Sequence, residues 1–184
     1  MSDRERVAVY IDGSNFYHYL KEVGFSKGDK FNFTTFIQHL VGNERLCISK
    51  RYYTGIFRNV DGKRRSQDLI KGQQKFLSKL EKEGFEIKRG KIMYDKGRIR
   101  EKGTDVKIAI DLIIGAIDDI YDTAILVSSD TDLIPAIKYV KYKSKKIEYI
   151  GFSHTPSLGI QKHVNFSKLL SKEDIDKFKK AKLL

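Results

Sequence analysis

The sequence contains one cysteine, two prolines and no tryptophan in 184 residues. A single cysteine excludes an internal disulfide and any cysteine-based zinc site. Cys47, in "RLCISKRYY", reads as a small core residue. No apolar run approaches the roughly 18–20 residues that would span a bilayer, so no membrane role is expected. The chain enters a strand-like run, "RVAVYID", almost at once, so no signal peptide is expected and a cytoplasmic location is the simplest expectation. The four histidines, His18, His39, His154 and His163, are scattered without metal-ligand spacing and read as structural or surface groups. No Ser-His-Asp or Cys-His set is suggested. No "GxxxxGKS" or "GxGxxG" loop follows a strand, which argues against a mononucleotide-binding protein.

Acid is also in short supply. Lys and Arg number 36 against 24 Asp and Glu, a net charge of +12. Such a balance suggests a polyanionic partner, nucleic acid before membrane surface. The bases gather at Arg58–Arg65, at Lys88–Lys102, at Lys138–Lys146 and in the tail "KFKKAK". Forty per cent hydrophobic residues suffice for a proper core. The length suits one domain, expected over residues 1–152, with a short helical extension over 153–184 packed on it.

Short β-branched runs alternate with segments of helical spacing. "RVAVYID", "RLCISKRYYTGIF", "FEIKRGKIMYD", "TAILVSS" and "KKIEYIGF" read as five strands. "SNFYHYLKEVG", "FNFTTFIQHLVG", residues 66–83, "TDVKIAIDLIIGAIDDI" and "TDLIPAIKYVKYKS" read as the helices between them. Thr104 is the expected N-cap of the fourth helix, and Pro135 falls in the first turn of the fifth, where its missing N–H does little harm. The third strand runs on into a ribbon with "KGRIREKG" through Asp95-Lys96-Gly97. "PSLGIQKHV" and "SKEDIDKFKKAKLL" suggest two short terminal helices. The alternation implies an α/β fold, with a parallel sheet flanked by helices.

In such sheets ligands bind outside the carboxyl ends of the strands, and acids collect there. Asp12 ends the first strand, Asp130 ends the fourth, and Asp132 follows in the next turn. Asp105 lies at the start of the helix leading into strand four; a helix entering that strand does so from the opposite edge, so spacing alone does not bring Asp105 to the other acids. Like charges crowded together raise one another's pKa, and a divalent cation relieves this. Hard oxygen ligands suit Mg²⁺ or Mn²⁺, ions that activate water and stabilise attacking and leaving oxygens in phosphodiester cleavage. Each acid also has a plainer reading: Asp12 as a turn former with Gly13, Asp105 as a dipole partner, and one of Asp130 and Asp132 as a helix cap. A cap needs only one acid, and Asp130 is the stronger metal candidate of the two. Asn15 either caps the next helix or orients Asp12 or a water. Ser14, Ser128 and Ser129 are candidate donors to the cluster. Asp111, about 240° around the helix from Asp105, reads as a supporting or buried acid. Asp118, Asp119 and Asp122 read as a solvated helix end.

"VYIDGSNFY", "KGTDVKIAIDLI" and "DTAILVSSDTDLIPAIKYVK" together resemble the NYN domain, a branch of the PIN-like nucleases, close to its bacterial LabA-like members. The three blocks keep the family's order and spacing across roughly Val7 to Phe152. The resemblance implies a doubly wound, Rossmann-like parallel sheet of about five strands in the order 3-2-1-4-5, with helices on both faces. It also implies a metal-dependent ribonuclease site at Asp12, Asp105, Asp130 and Asp132, with Asn15 matching the asparagine that follows the first acid. Asp105 thereby gains support that spacing withheld. Many members have Gly where this chain has Ser129, a change that leaves the acids intact.

The favoured expectation is a Mg²⁺- or Mn²⁺-dependent nuclease acting on RNA, with single-stranded DNA as the other substrate and a homodimer left open. Lys63, Arg64, Arg65, Arg89, Lys91, Arg98, Arg100 and Lys102 are the candidate phosphate contacts. Tyr52, Tyr53, Phe57 and Tyr94 are candidates to stack a base, although strand aromatics more often fill cores. The main alternative is a catalytically silent RNA-binding or regulatory module on the same fold. A haloacid-dehalogenase-type phosphatase needs a second acid two residues after the first, and that position holds Ser14.

Overall fold

The computed structural model describes residues 4–25, 30–56, 64–95 and 98–180; the side chains of residues 64–66, 91–95, 98–102 and 180 are outside the description. The chain builds a seven-stranded sheet in the order β5-β4-β3-β1-β6-β7-β8. Its strands are β1 (Arg6–Asp12), β3 (Leu46–Gly55), β4 (Glu86–Asp95), β5 (Arg98–Lys102), β6 (Thr123–Val127), β7 (Lys146–Phe152) and β8 (Phe166–Leu170). Six of them run parallel; β5 alone is antiparallel, paired to β4. The inner five strands have the expected order. The sheet is larger than expected because β5 and β8 extend its edges.

β1 is the centre of the sheet, and all its residues from Val7 onward are buried. Val7, Val9 and Ile11 face one core with α1 (Gly13–Glu22), α2 (Phe33–Val41) and α3 (Arg64–Lys82). Ala8 and Tyr10 face the other, with α4 (Thr104–Ile117), α5 (Ile134–Tyr142) and α6 (Leu158–Gln161). A strand covered on both faces needs apolar residues at successive positions, and "VAVYI" supplies them. Each fully buried Val or Ile contributes about 1.5–3 kcal/mol, which holds the strand's carboxyl end, and Asp12 with it, rigidly in place.

From β1 the chain winds outward through β3 and β4, then returns to the other side of β1 to make β6, β7 and β8. The strand order therefore reverses at β1 and β6, and a crevice opens there at the carboxyl edge.

The C-terminal region differs from expectation. After α6, Phe166–Leu170 forms β8, parallel to β7 from Glu148↔Phe166 to Phe152↔Leu170. Asn165 starts the pairing: its N–H donates to Ile147 O and its side chain accepts from Ile147 N. A short helix, α7 (Lys172–Asp176), follows with a Ser171/Asp174 capping box. Lys179–Lys180 (β9) then pairs with Lys30–Phe31 (β2), which seats Phe178 against Phe31 and Phe36.

Candidate active site

Asp12 is the last residue of β1 and is only 4 % exposed. Its Oδ1 accepts the Asn15 N–H at 3.1 Å, capping α1, and its Oδ2 accepts the Ser128 hydroxyl at 3.1 Å. The turn works only because residue 13 is glycine. A Cβ there would lie 2.5 Å from the Tyr52 ring and 2.6 Å from Tyr53 O. Tyr52 and Tyr53 themselves are buried in the two cores, so neither is placed to stack a base; Phe57 lies outside the described residues, as does the side chain of Tyr94.

β6 delivers the second segment. Pairing of Ile11 with Val127 sets Ser128 beside Asp12. Ser128 Oγ also accepts the Asp130 N–H at 3.2 Å, so one hydroxyl links two acids' segments. Ser129 N–H donates to Asn15 Oδ1 at 3.3 Å. The Asn15 side chain thus ties the β6 loop to α1, and the capping of α1 falls to Asp12. The Ser129 hydroxyl turns away to Tyr149 OH at 2.9 Å. Asp130 Oδ1 accepts the Asp132 N–H at 2.9 Å and caps the 3₁₀ turn Thr131–Leu133. The capping acid is therefore Asp130, at the strand end, and Asp132 is exposed.

Asp105 reaches the same edge. The β4–β5 ribbon projects beyond the last β3–β4 pair, Gly55↔Gly90, and β5 returns the chain to Lys102 opposite Lys91. Gly103, at φ 81°, then turns the backbone into α4; it is the N-cap, with no side-chain cap bond, and Thr104 is the first helical residue. The far end of α4 feeds β6 from the opposite edge, as connectivity requires, but its first turn sits at the carboxyl edge. Asp12, Ser14, Asn15, His18, Thr104 and Asp105 line one cleft of about 240 Å³.

The structure thus brings Asp12 and Asp105 together and sets Asp130 beside Asp12 through Ser128. Asp130 and Asp132 do not line the cleft, and among the described residues no group of three or more His, Cys, Asp or Glu is gathered as a ready ligand set. His18, read as a scattered histidine, lines the cleft one turn along α1 from Ser14 and Asn15, an i, i+3/i+4 relation that was visible in the sequence.

Asp111 belongs elsewhere. It accepts the Tyr53 hydroxyl at 2.7 Å and lies 3.7 Å from Arg51 and 3.8 Å from Lys88. Burial, together with this bond to Asp111, pushes the Tyr53 phenol far up, so it stays a neutral donor. The acids beyond α4 are also engaged. Asp122 takes the Arg6 guanidinium at 2.8 Å and the Arg6 N–H at 2.7 Å, which draws its carboxyl down to about 2. Asp119 pairs with Arg6 and Lys145.

Of the expected phosphate contacts, Arg89 is exposed at the end of the β3–β4 pairing and meets Glu81 at 3.1 Å. Lys63 lies outside the described residues, as do the side chains of Arg64, Arg65, Lys91, Arg98, Arg100 and Lys102.

A doubly wound α/β fold with two carboxylates in a cleft at its switch point is the class these features define. The NYN domain model matches residues 6–170, and the chain belongs to the NYN domain family, whose fold is that of the PIN-like nucleases. Among solved structures, a protein of unknown function from Vibrio parahaemolyticus RIMD 2210633 is similar, with a TM-score of 0.71 and 23% identity over 98% of this chain and 99% of that one. That likeness shows the fold alone. No curated protein matches the chain.

Proposed function

We propose that the chain is a divalent-metal-dependent ribonuclease that hydrolyses RNA phosphodiester bonds at the Asp12–Asp105 cleft. The observation that carries this reading is the convergence of those two carboxylates, from β1 and from the first turn of α4, in one cleft.

The donors suit Mg²⁺ or Mn²⁺. Mg²⁺ is commonly bound by one or two carboxylates plus waters and substrate phosphate, and does not need an all-protein cage. Asp12 and Asp105 supply the carboxylates, while Ser14, Asn15 and Thr104 bring neutral oxygens to the same walls. When bound, the ion supplies an acidified water and neutralises charge building on the phosphate.

The chain's own groups do the rest. The Asn15 N–H and the Ser128 hydroxyl fix both Asp12 oxygens, so the carboxylate meets substrate already oriented. Asn15 and Ser128 also tie down the β6 loop that carries Asp130, through the Ser129 and Asp130 N–H groups. Asp130 serves as a further ligand or as a proton acceptor for the attacking water, and exposed Asp132 supports it. The products carry a 5′-phosphate and a 3′-hydroxyl. Arg89, exposed at the end of the β3–β4 pairing, grips the phosphate backbone; Lys63, Arg64, Arg65, Lys91, Arg98, Arg100 and Lys102 are the further bases assigned to phosphate by their charge alone.

The test is incubation of RNA and single-stranded DNA oligonucleotides with Mn²⁺ and then with EDTA. Cleavage of RNA that EDTA abolishes supports the reading. Cleavage that survives EDTA removes the metal, and salt-sensitive RNA binding without turnover makes the chain a silent binding module instead.

A further inference from the structure

α4 buries Ile108, Leu112 and Ala116 against the sheet, yet its outer side is also apolar. Val106 is 60% exposed, Ile110 48%, Ile114 45% and Ile117 51%, with half-buried Ile113 between them. Val106, Ile110, Ile113 and Ile117 follow the 4-3-4 spacing of a coiled-coil seam over three turns. Contiguous apolar patches on monomers are rarely large, and those that are mark interaction sites.

We propose that this face of α4 is a homodimer interface, with two copies pairing α4 against α4 in antiparallel fashion about a two-fold axis. The sequence of the stripe is self-complementary for that arrangement. A register that sets Val106 against Ile117 of the second copy also sets Ile110 against its Ile113 and Ile114, and each contact recurs by symmetry.

The charges at the two ends of α4 point to the same occupant. Lys107 lies in the first turn and Asp118 is the C-cap residue, and no base occupies the last turn. Both charges oppose the helix dipole, which favours acids at the start and bases at the end. Asp119 and Asp122 have Arg6 and Lys145 as partners, but Asp118 has no ion pair among the described residues. In the antiparallel register Lys107 meets Asp118 of the second copy at both ends, and each helix end faces the opposite pole of its neighbour. Lys107 Nζ already donates to Arg89 O at 2.5 Å, and an ammonium has two further donors for this contact. An unrelated partner would meet the apolar stripe equally well, but would leave this end-to-end charge match unexplained.

The pairing has a consequence for the cleft. Asp105 sits at the start of α4, so at 1.5 Å per residue the two Asp105 positions lie about 20 Å apart along the helix axes, at opposite ends of the pair. The dimer therefore presents two separated clefts and leaves each open.

The test is sedimentation of the full chain and its variants. The wild type is expected to be dimeric at about 10 µM. Ile110→Glu, at an exposed position, is expected to weaken dimerisation at least tenfold with circular dichroism unchanged. Lys107→Asp and Asp118→Lys are each expected to weaken it, and the two together to restore it. The charge variants provide the answer if Ile110→Glu disturbs folding. A wild type that stays monomeric at about 100 µM overturns the proposal, as does a dimer indifferent to Ile110→Glu. Failure of the double exchange to restore pairing overturns the antiparallel register.

Discussion

The Ser128 hydroxyl stands 3.1 Å from Asp12 Oδ2 and joins the ends of β6 and β1 at the sheet's switch point. Ser128 is 1% exposed and also accepts the Asp130 N–H, so its removal takes one partner from the buried Asp12 carboxylate and one from a half-buried N–H. Ser128→Ala is expected to lower stability by about 1–3 kcal/mol. RNA cleavage should fall about tenfold as Asp12 loses its fixed orientation. Ser128→Thr keeps the hydroxyl and should retain more activity. Thermal unfolding and initial cleavage rates read the two effects separately.

Gly13→Ala tests the tight turn that follows Asp12. The new methyl would stand 2.5 Å from Tyr52 and 2.6 Å from a backbone oxygen, that of Tyr53, so the strand end must shift. Overpacking of this kind costs about 1–3 kcal/mol. Denaturant unfolding should show that loss, and cleavage should drop further than stability because the displaced residue is Asp12's neighbour.

The Arg6–Asp122 contact makes stability depend on acid pH. Folding draws the Asp122 carboxyl down to about 2 from its ordinary value near 3.9, with the Arg6 side chain as the first cause. Between those values the unfolded chain binds the extra proton, so the contribution is complete above about pH 4 and is lost as pH falls through about 2. Asp122→Asn should lower stability at pH 7 by about 1 kcal/mol and flatten this part of the acid-unfolding curve. A variant whose acid limb matches the wild type would show that the contact does not drive it.

RNA binding, measured with the catalytically disabled Asp105→Asn chain, should weaken steeply with salt. The slope of log K against log salt is about −0.7 per phosphate contact for a single strand. Arg89→Ala should reduce the slope's magnitude by roughly that amount if its guanidinium, exposed beside Glu81, holds a phosphate. Binding by fluorescence anisotropy across a salt series gives the number.

The inner sheet was legible in the sequence because each strand is a short β-branched run bounded by turn residues. Asp12 was legible because an acid-glycine pair closes such a run. Asp105 was not placed by spacing, since its position depends on where the chain re-enters the sheet edge. The β4–β5 ribbon and the left-handed Gly103 decide that, and only the family resemblance anticipated it. β8 was hidden because "FSKLL" has its large Phe166 exposed and its last residue buried, which obscures the strand alternation. The cap at "SSDTD" was legible as a cap but not as to which acid makes it. The bond from the Asp132 N–H to Asp130 Oδ1 gives that role to Asp130, the acid at the strand end. His18 shares a helix face with Ser14 and Asn15 by its i+3/i+4 spacing, a signal in the sequence, but that spacing alone does not show that the face lines a cleft.

The most direct measurement is Mn²⁺-dependent cleavage of labelled single-stranded RNA by wild type and by Asp105→Asn, each checked for folding by circular dichroism. Asp105 is in the first turn of α4 and partly exposed, so its amide should preserve the fold. The account predicts that cleavage falls at least a hundredfold while RNA binding persists. Undiminished cleavage by the folded Asp105→Asn chain would contradict it.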